Sequence, residues 1–232
     1  MQFEKSQTFH NLARSFAGEC QAGMRYQFVA ELAKQEIGEA LQAKIKMIAK
    51  NETAHAKAFY DMMHEKAGKE IKAVEFTAGF PYSAGTLAEG LQYAVSTEQA
   101  EIEDVYPKFR DTAKKEGFDD IAALFEKVIE VEKTHKKTFQ TLYEGVKNKT
   151  LYKGEKETEW TCSYCGHTEK RKSAWTVCPL CGKKQGYVTI PDKEEEMTTT
   201  KNCSGKACSG TKTAKSKKTT GKTTAKKTTR AK

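Results

Sequence analysis

The run Val128-Ile-Glu-Val-Glu132-Lys-Thr-His135-Lys-Lys-Thr-Phe139-Gln-Thr-Leu142 sets an acid and an imidazole where apolar side chains are due. Val128, Glu132, His135, Phe139 and Leu142 step by three or four residues, the spacing of side chains that meet along one helix face. The same spacing recurs in Ile48-Ala-Lys-Asn-Glu52-Thr-Ala-His55-Ala-Lys-Ala-Phe59-Tyr-Asp-Met62. A lone buried carboxylate is costly or stays protonated. A Glu-x-x-His pair instead puts an oxygen and an imidazole side by side on one face, where both can grip one metal cluster.

Working outward, four segments carry helical periodicity: 4–34, 36–66, 84–115 and 119–147. The first seam runs Phe9, Leu12, Phe16, Glu19, Gly23, Tyr26; the third runs Leu87, Leu91, Ala94, Glu98, Glu101, Val105. Gly38 and Gly117 sit in short connections, which make antiparallel neighbours. Residues 67–83 form a longer connection. A four-helix bundle with one long crossover is the ferritin-like arrangement. Each helix offers a charged residue near the middle of its seam, and Glu19, Glu52, His55, Glu98, Glu101, Glu132 and His135 together form the candidate ligand set. Five carboxylates facing one interior call for cations, and oxygen with imidazole ligands suits iron or manganese. The competing explanation is a buried polar network. Asp61 and His64 show the same spacing by chance and read as surface decoration.

A second signal follows in Trp160-Thr-Cys162-Ser-Tyr-Cys165-Gly166 and Cys178-Pro-Leu-Cys181-Gly182. Two Cys-x-x-Cys knuckles are a strong tetrahedral-metal pattern. A segment this short builds little core, so the metal carries much of its folding energy. Spacing leaves iron and zinc both open.

Charge divides the chain. Residues 1–150 hold 21 basic and 23 acidic side chains, whereas residues 198–232 hold 11 basic and none acidic, so the net charge of +9 belongs to the tail. That tail lacks Val, Ile, Leu, Met, Phe, Trp and Tyr and cannot offset its ordering entropy, so it reads as disordered. It is either a solubilising extension or a tether to nucleic acid or another polyanion. Cys203 and Cys208 within it read as exposed thiols, and Cys20 as a small core residue. No apolar run reaches a membrane span and no apolar leader opens the chain, so the expected location is cytoplasmic, with no membrane partner. No Gly-x-Gly-x-x-Gly fingerprint is present.

Taken together these motifs resemble the rubrerythrin family, over residues 1 to about 190. The resemblance rests on Phe16-Ala-Gly-Glu19, Glu52-Thr-Ala-His55-Ala, Glu98-Gln-Ala-Glu101 with Val105-Tyr106-Pro107, Glu132-Lys-Thr-His135, and the two knuckles. It implies an all-α ferritin-like four-helix bundle over 1–148, a small rubredoxin-like metal-knuckle domain over 149–192 and a disordered basic tail over 193–232. It implies two irons, with Glu52 and Glu132 bridging them, Glu19 on one and Glu98 with His135 on the other. Glu101 and His55 would exchange at the first iron between oxidation states. Tyr26 and Tyr106 would donate hydrogen bonds near the cluster; as plain residues they read equally as core aromatics. Cys162, Cys165, Cys178 and Cys181 would hold a single iron, with zinc the other possibility. The implied function is a non-haem di-iron peroxidase that reduces hydrogen peroxide to water in oxidative-stress defence. Its electrons would pass through the rubredoxin-like iron from rubredoxin or an NAD(P)H-dependent rubredoxin reductase, in a head-to-tail homodimer. A ferritin-like ferroxidase or iron store and a zinc-ribbon nucleic-acid-binding protein are the alternatives. The sequence departs from the family pattern in the basic residues Lys170, Arg171 and Lys172 and in the tail after Met197.

Overall fold

The computed structural model describes residues 2–82 and 85–192. The basic segment 193–232, with Cys203 and Cys208, lies outside the described residues, so the expectations for the tail fall there.

A 3-10 turn, Phe3–Lys5, leads into α1 (Gln7–Glu36). Ser6 caps α1 by accepting the Phe9 N–H at 3.1 Å. Glu116, far along the chain, accepts the N–H groups of Gln7 at 3.0 Å and Thr8 at 2.8 Å, so the free donors of the first turn find a carboxylate. After a tight link at Gly38, α2 (Glu39–Ala67) runs back along α1. In the long connection that follows, Ile71 and Val74 pack on the apolar core. A capping box between Thr86 and Glu89 starts α3 (Leu87–Ala100). A π-helical turn, Glu101–Val105, joins α3 to α4 (Tyr106–Glu116), and α5 (Asp119–Lys147) packs antiparallel against both. The fourth expected helix matches its bounds, and the third is one rod interrupted by the π turn.

That turn shifts the seam. Tyr106 donates its N–H to the Glu101 carbonyl, five residues back, and Pro107 has no N–H to give. One residue is thereby inserted into the phase. Tyr106, at 2 % exposure, takes the core position expected for Val105. Two neighbouring expectations are corrected as well. Phe16 is 36 % exposed because Ser15 takes the buried place, and Cys20 is exposed rather than in the core. Near the end of α2 the buried methionine is Met63, and Met62, expected in the seam, is only partly buried beside it.

Two apolar clusters fill the bundle. One gathers Leu41, Ile45, Leu87, Leu91, Phe139 and Leu142; the other gathers Leu12, Phe59, Met63, Ile121, Phe125 and Val128. Phe59, Phe125 and Phe139 have no exposed surface, and each such side chain contributes about 1.5–3 kcal/mol. Glu52, His55, Glu132 and His135 lie along α2 and α5 between the residues of these clusters, so the ionisable layer has apolar walls on both sides.

Beyond the bundle, β1 (Lys153–Thr161) pairs antiparallel with β2 (Thr168–Ser173) in a two-stranded sheet, with Trp160 opposite Glu169. Trp160 is buried beneath the cysteines, and its indole N–H reaches the Arg171 carbonyl at 2.9 Å. This module rests on the bundle where Gly186 meets Ile37 and Gly38, and Lys44 donates to the Ile190 carbonyl at 3.1 Å. Among the described residues no helix is long and apolar enough to cross a membrane.

Candidate metal centre

Glu19 on α1, Glu52 on α2, Glu98 on α3 and Glu132 on α5 are each at most 1 % exposed. His135 is buried, and His55 and Glu101 are half-buried. Helical phase puts them there: in α5 every residue of the expected seam from Ile121 to Leu142 is buried.

The carboxylates and imidazoles form two overlapping sets. One comprises Glu19, Glu52, His55 and Glu132; the other Glu52, Glu98, Glu132 and His135. Within each set, ligand atoms lie within 4.8 Å of one another, and both sets share Glu52 and Glu132. His55 Nδ1 lies 2.8 Å from Glu132 Oε1 and 3.1 Å from Glu52 Oε2. His135 Nδ1 lies 2.6 Å from Glu132 Oε2 and 3.0 Å from Glu52 Oε1. Each shared carboxylate therefore turns one oxygen to each imidazole. Glu101 belongs to neither set.

The outer carboxylates are held by tyrosines from the opposite hairpin. Tyr106 O–H donates to Glu19 Oε1, and Tyr26 O–H donates to Glu98 Oε1. Their second oxygens, Glu19 Oε2 and Glu98 Oε2, are buried without a hydrogen-bond partner, and the equally shielded Glu52 Oε1 and Glu132 Oε1 meet only the imidazoles. Four shielded carboxylate oxygens aimed at one interior are what a pair of divalent cations would satisfy. Both tyrosines thus act as hydrogen-bond donors to the acids and not only as core aromatics.

Electrostatics agree. Burial, reinforced by Glu132 and Glu52 and only partly relieved by His55, pushes the Glu19 carboxyl up to about 8. Burial with the neighbouring acids also raises Glu98 and Glu101. Burial disfavours the imidazoliums, but the carboxylates outweigh it and raise His55 to about 12 and His135 to about 9. Glu132 goes the other way: burial raises it, yet His135 and His55 bring it down to about 2. Protonated histidines take the place that metal cations would fill, so metal loading must release protons.

Two residues near the site are invisible to seam reading. Asn51 places Nδ2 3.2 Å from His135 Nε2 and orients the ring from behind. Arg25, beside Tyr26, reaches Thr97 Oγ1 with Nη1 at 3.4 Å. Both are polar residues off the apolar stripe, where periodicity gives no signal. Asp61 is exposed and pairs with Lys57 at 2.7 Å.

The four knuckle cysteines form the third set, all Sγ atoms within 4.8 Å of one another. Cys162 and Cys181 sulfurs are 3.8 Å apart and Cys165 and Cys178 sulfurs 3.7 Å. Sulfurs bound tetrahedrally at about 2.3 Å from an ion sit roughly 3.8 Å apart. The knuckles repeat one turn: Gly166 N–H bonds the Cys162 carbonyl and Gly182 N–H the Cys178 carbonyl, both at 2.9 Å. Their φ values of +75° and +72° suit glycine. Burial raises the Cys178 thiol, but the Cys181 and Leu180 N–H groups and the neighbouring cysteines outweigh it and lower it to about 6.

Comparison with known proteins gives this geometry its context. The rubrerythrin family model matches residues 10–143. Rubrerythrin from Porphyromonas gingivalis is 36 % identical over 183 residues, covering 78 % of this chain and 88 % of that protein. Rubrerythrin-1 from Clostridium acetobutylicum is 35 % identical over 186 residues, covering 80 % and 94 %. Among solved structures, partially reduced nigerythrin aligns over 82 % of this chain and 94 % of its own, with a TM-score of 0.52 at 22 % identity, a likeness of fold. The bacterioferritin of Desulfovibrio desulfuricans, solved with its di-iron site in different catalytic states, aligns over 62 % and 82 % with a TM-score of 0.55 at 25 % identity. A family match over more than half the chain, with relatives above 30 % identity along nearly their whole length, leaves one conclusion: the chain belongs to the rubrerythrin family, with that family's Glu/His di-iron site and a four-cysteine cluster that fits a rubredoxin-like iron.

Proposed function

We propose that the protein is a di-iron peroxidase of oxidative-stress defence, which reduces hydrogen peroxide to water with electrons relayed through the four-cysteine iron. The observation that carries this reading is a two-metal carboxylate site and a four-cysteine site on one chain. An iron store needs no thiolate-bound relay, and a nucleic-acid-binding zinc ribbon needs no paired-metal site. Iron at the two sites supplies one-electron chemistry. The overall reaction takes one peroxide, two electrons and two protons to two waters.

The chain's residues have separable tasks in it. Glu52 and Glu132 would be the carboxylates shared by both metals, since each faces both imidazoles. Tyr106 and Tyr26 occupy one oxygen of Glu19 and Glu98 and leave the other for a metal. His55 and Glu101 would serve as alternative holders of the first metal; in the present arrangement His55 Nδ1 is turned inward and Glu101 lies outside both sets. Whichever of the two is off the metals can carry a proton to a departing oxygen. The apolar clusters on either side keep bulk water from the reacting atoms.

The relay is best served by a second subunit. The four-cysteine module touches its own bundle at Gly38, and Glu52 lies about 14 residues further along α2, roughly 21 Å at 1.5 Å per residue. A head-to-tail homodimer would bring that module to the partner's di-iron site. Electrons would enter from rubredoxin or an NAD(P)H-dependent reductase. The test is anaerobic: iron-loaded protein with a surrogate reductase should oxidise NADH only when peroxide is added. No peroxide-dependent oxidation would sink the reading.

A further inference from the structure

We propose that Lys183, clasped between the rings of Tyr164 and Tyr187, is the fixed positive charge that raises the reduction potential of the four-cysteine iron and so sets how readily the relay fills. The inference rests on the relay proposed above and assigns it a control.

The two knuckle turns, 162–166 and 178–184, contain no aspartate or glutamate, and their formal charges are Lys183 and Lys184. Lys184 is exposed, whereas Lys183 is half-buried. The Lys183 carbonyl accepts the N–H of Cys178 at 2.8 Å, which ties its backbone to one of the metal-holding cysteines. Its other end is held as well: Nζ sits 4.6 Å from the centre of the Tyr164 ring and 5.1 Å from that of Tyr187. Tyr164 lies between the two cysteines of the first knuckle, so the lysine reaches from one knuckle to the other. The two rings stand edge to face, with centres 5.9 Å apart. Ser163 fixes Tyr187 in turn, since its N–H and its hydroxyl both donate to the Tyr187 carbonyl at 2.8 Å. Among the described residues Lys183 forms no ion pair, unlike Lys34, Lys44, Lys46, Lys57, Lys66 and Lys69. An ammonium set on aromatic faces keeps its charge, loses part of its water and cannot swing away. No carboxylate cancels its field at the sulfurs, and salt screens that field less than it screens a free surface lysine.

Four thiolates with a ferric ion carry one net negative charge, and with a ferrous ion they carry two. Reduction therefore adds negative charge, and a cation held beside the ligands favours the reduced form. The step balances as one electron taken from the outside donor, with no bond made or broken. A fixed unit charge on the loop that carries the ligands shifts the reduction equilibrium about tenfold at the effective dielectric of a protein surface. Tenfold corresponds to ~59 mV for a one-electron step. The sign matters for the relay: a higher potential makes the module easier to fill from outside and lessens the drive onward to the di-iron site.

The experiment is a spectroelectrochemical titration of the four-cysteine iron in full-length iron-loaded protein, followed at its thiolate charge-transfer band. Lys183→Gln is expected to lower the potential by ~59 mV, whereas Lys183→Arg should keep most of it. Lys184→Gln removes the same formal charge without a clasp and should shift the equilibrium less than about threefold. Tyr164→Leu, which frees the ammonium, should give part of the Lys183→Gln shift and make the potential more sensitive to salt. In zinc-loaded protein the proton resonances of the Lys183 ε-methylene should be displaced by the two rings, and Tyr164→Leu should reduce that displacement. An unmoved potential in Lys183→Gln, or an equal shift in Lys184→Gln, overturns this inference and leaves the proposed function standing. A chain that takes only zinc at the knuckles in the cell overturns the relay, and the same titration after reconstitution with iron still decides the role of Lys183.

Discussion

Replacing Gly186 by alanine should loosen the docking of the four-cysteine module without unfolding it. The added Cβ would lie 2.6 Å from the Ile37 carbonyl oxygen and 3.0 Å from Gly38 Cα. Both neighbours are backbone at the α1–α2 link, so neither can rotate aside as a side chain could. Gly186 is absent from the positive-φ positions, so alanine there meets a steric conflict and no conformational one. Overpacking of this kind costs about 1–3 kcal/mol. The module is held against that cost by Ile190, buried in the apolar cluster with Leu41 and Ile45, and by Lys44, which meets the Ile190 carbonyl at 3.1 Å and Asp192 at 2.5 Å. An exposed pair of this sort contributes only about 0–1 kcal/mol. The clash is of the same order as the burial of Ile190, about 1.5–3 kcal/mol, so it loosens the seat, whereas the knuckles and the Trp160 core stay intact.

Hydrogen exchange reads this directly. Amides around 37–42 should lose protection, and those of α5 should keep it. The metal of the knuckles should remain bound, and electron transfer from it to the di-iron site should slow. If the module instead relaxes in place, the melting temperature should fall by roughly 2–4 °C for each kcal/mol. Unchanged protection at 37–42 together with an unchanged melting temperature would refute the close approach of Gly186 to Gly38 as a real constraint.

Other outcomes follow from single contacts. Tyr106→Phe strips the donor from buried Glu19 Oε1, which should cost about 1–3 kcal/mol; iron affinity measured by chelator competition should drop while the bundle stays folded. Cys181→Ser should abolish metal binding at the knuckles, seen by metal analysis, and leave the paired irons in place. Glu116→Ala removes the acceptor for Gln7 and Thr8 and should cost about 0.5–2 kcal/mol in denaturant melts. Burial alone would raise the Glu116 carboxyl, but the Thr8 and Gln7 donors hold it below its ordinary value. Its contribution is therefore present above its unfolded value, near 4.5, and lost as pH falls through the depressed folded one. Metal-free protein should show the opposite limb at its centre. His135 is raised to about 9 by its carboxylate partners against burial, so the stability they give is present in acid and lost as pH rises through that value, and Glu19, raised to about 8 by burial, adds the cost of a buried charge over the same rise. Iron-loaded protein should not lose stability over that range, and melts of the two forms across pH test the difference.

How much of this was legible depended on phase. In α5 the seam from Ile121 to Leu142 was readable because nothing interrupts its period, and Glu132 and His135 followed from it. Glu52 and His55 were readable for the same reason. Glu101 was readable as a candidate, but its position outside both ligand sets was not, because the π turn that starts there leaves no mark in a three-and-four pattern. Pro107 was the available clue: a proline inside a helical run must free a carbonyl, and a π turn is one way to do so. Phe16 misled because composition favours burying it, yet the small Ser15 sits on the side facing the core and Phe16 rests outside on Tyr60, with ring centres 5.6 Å apart. Arg25 and Asn51 carry no periodic signature at all; only the fold brings them to the site.

The pairing of contacts explains why such a costly layer can sit in the core. Four polar links across the layer join one hairpin to the other. Tyr26 of α1 serves Glu98 of α3, and Tyr106 of α4 serves Glu19 of α1. His55 of α2 meets Glu132 of α5, and His135 of α5 meets Glu52 of α2. The short loops at Gly38 and Gly117 fix each hairpin internally, and the apolar clusters on either side of the layer join one hairpin to the other. The ionisable layer does this across its width. Metals that bind between Glu52 and Glu132 therefore act on the docking of the two halves as much as on chemistry. Stripping them should loosen the α1–α2 pair from the α3–α5 pair before either hairpin melts.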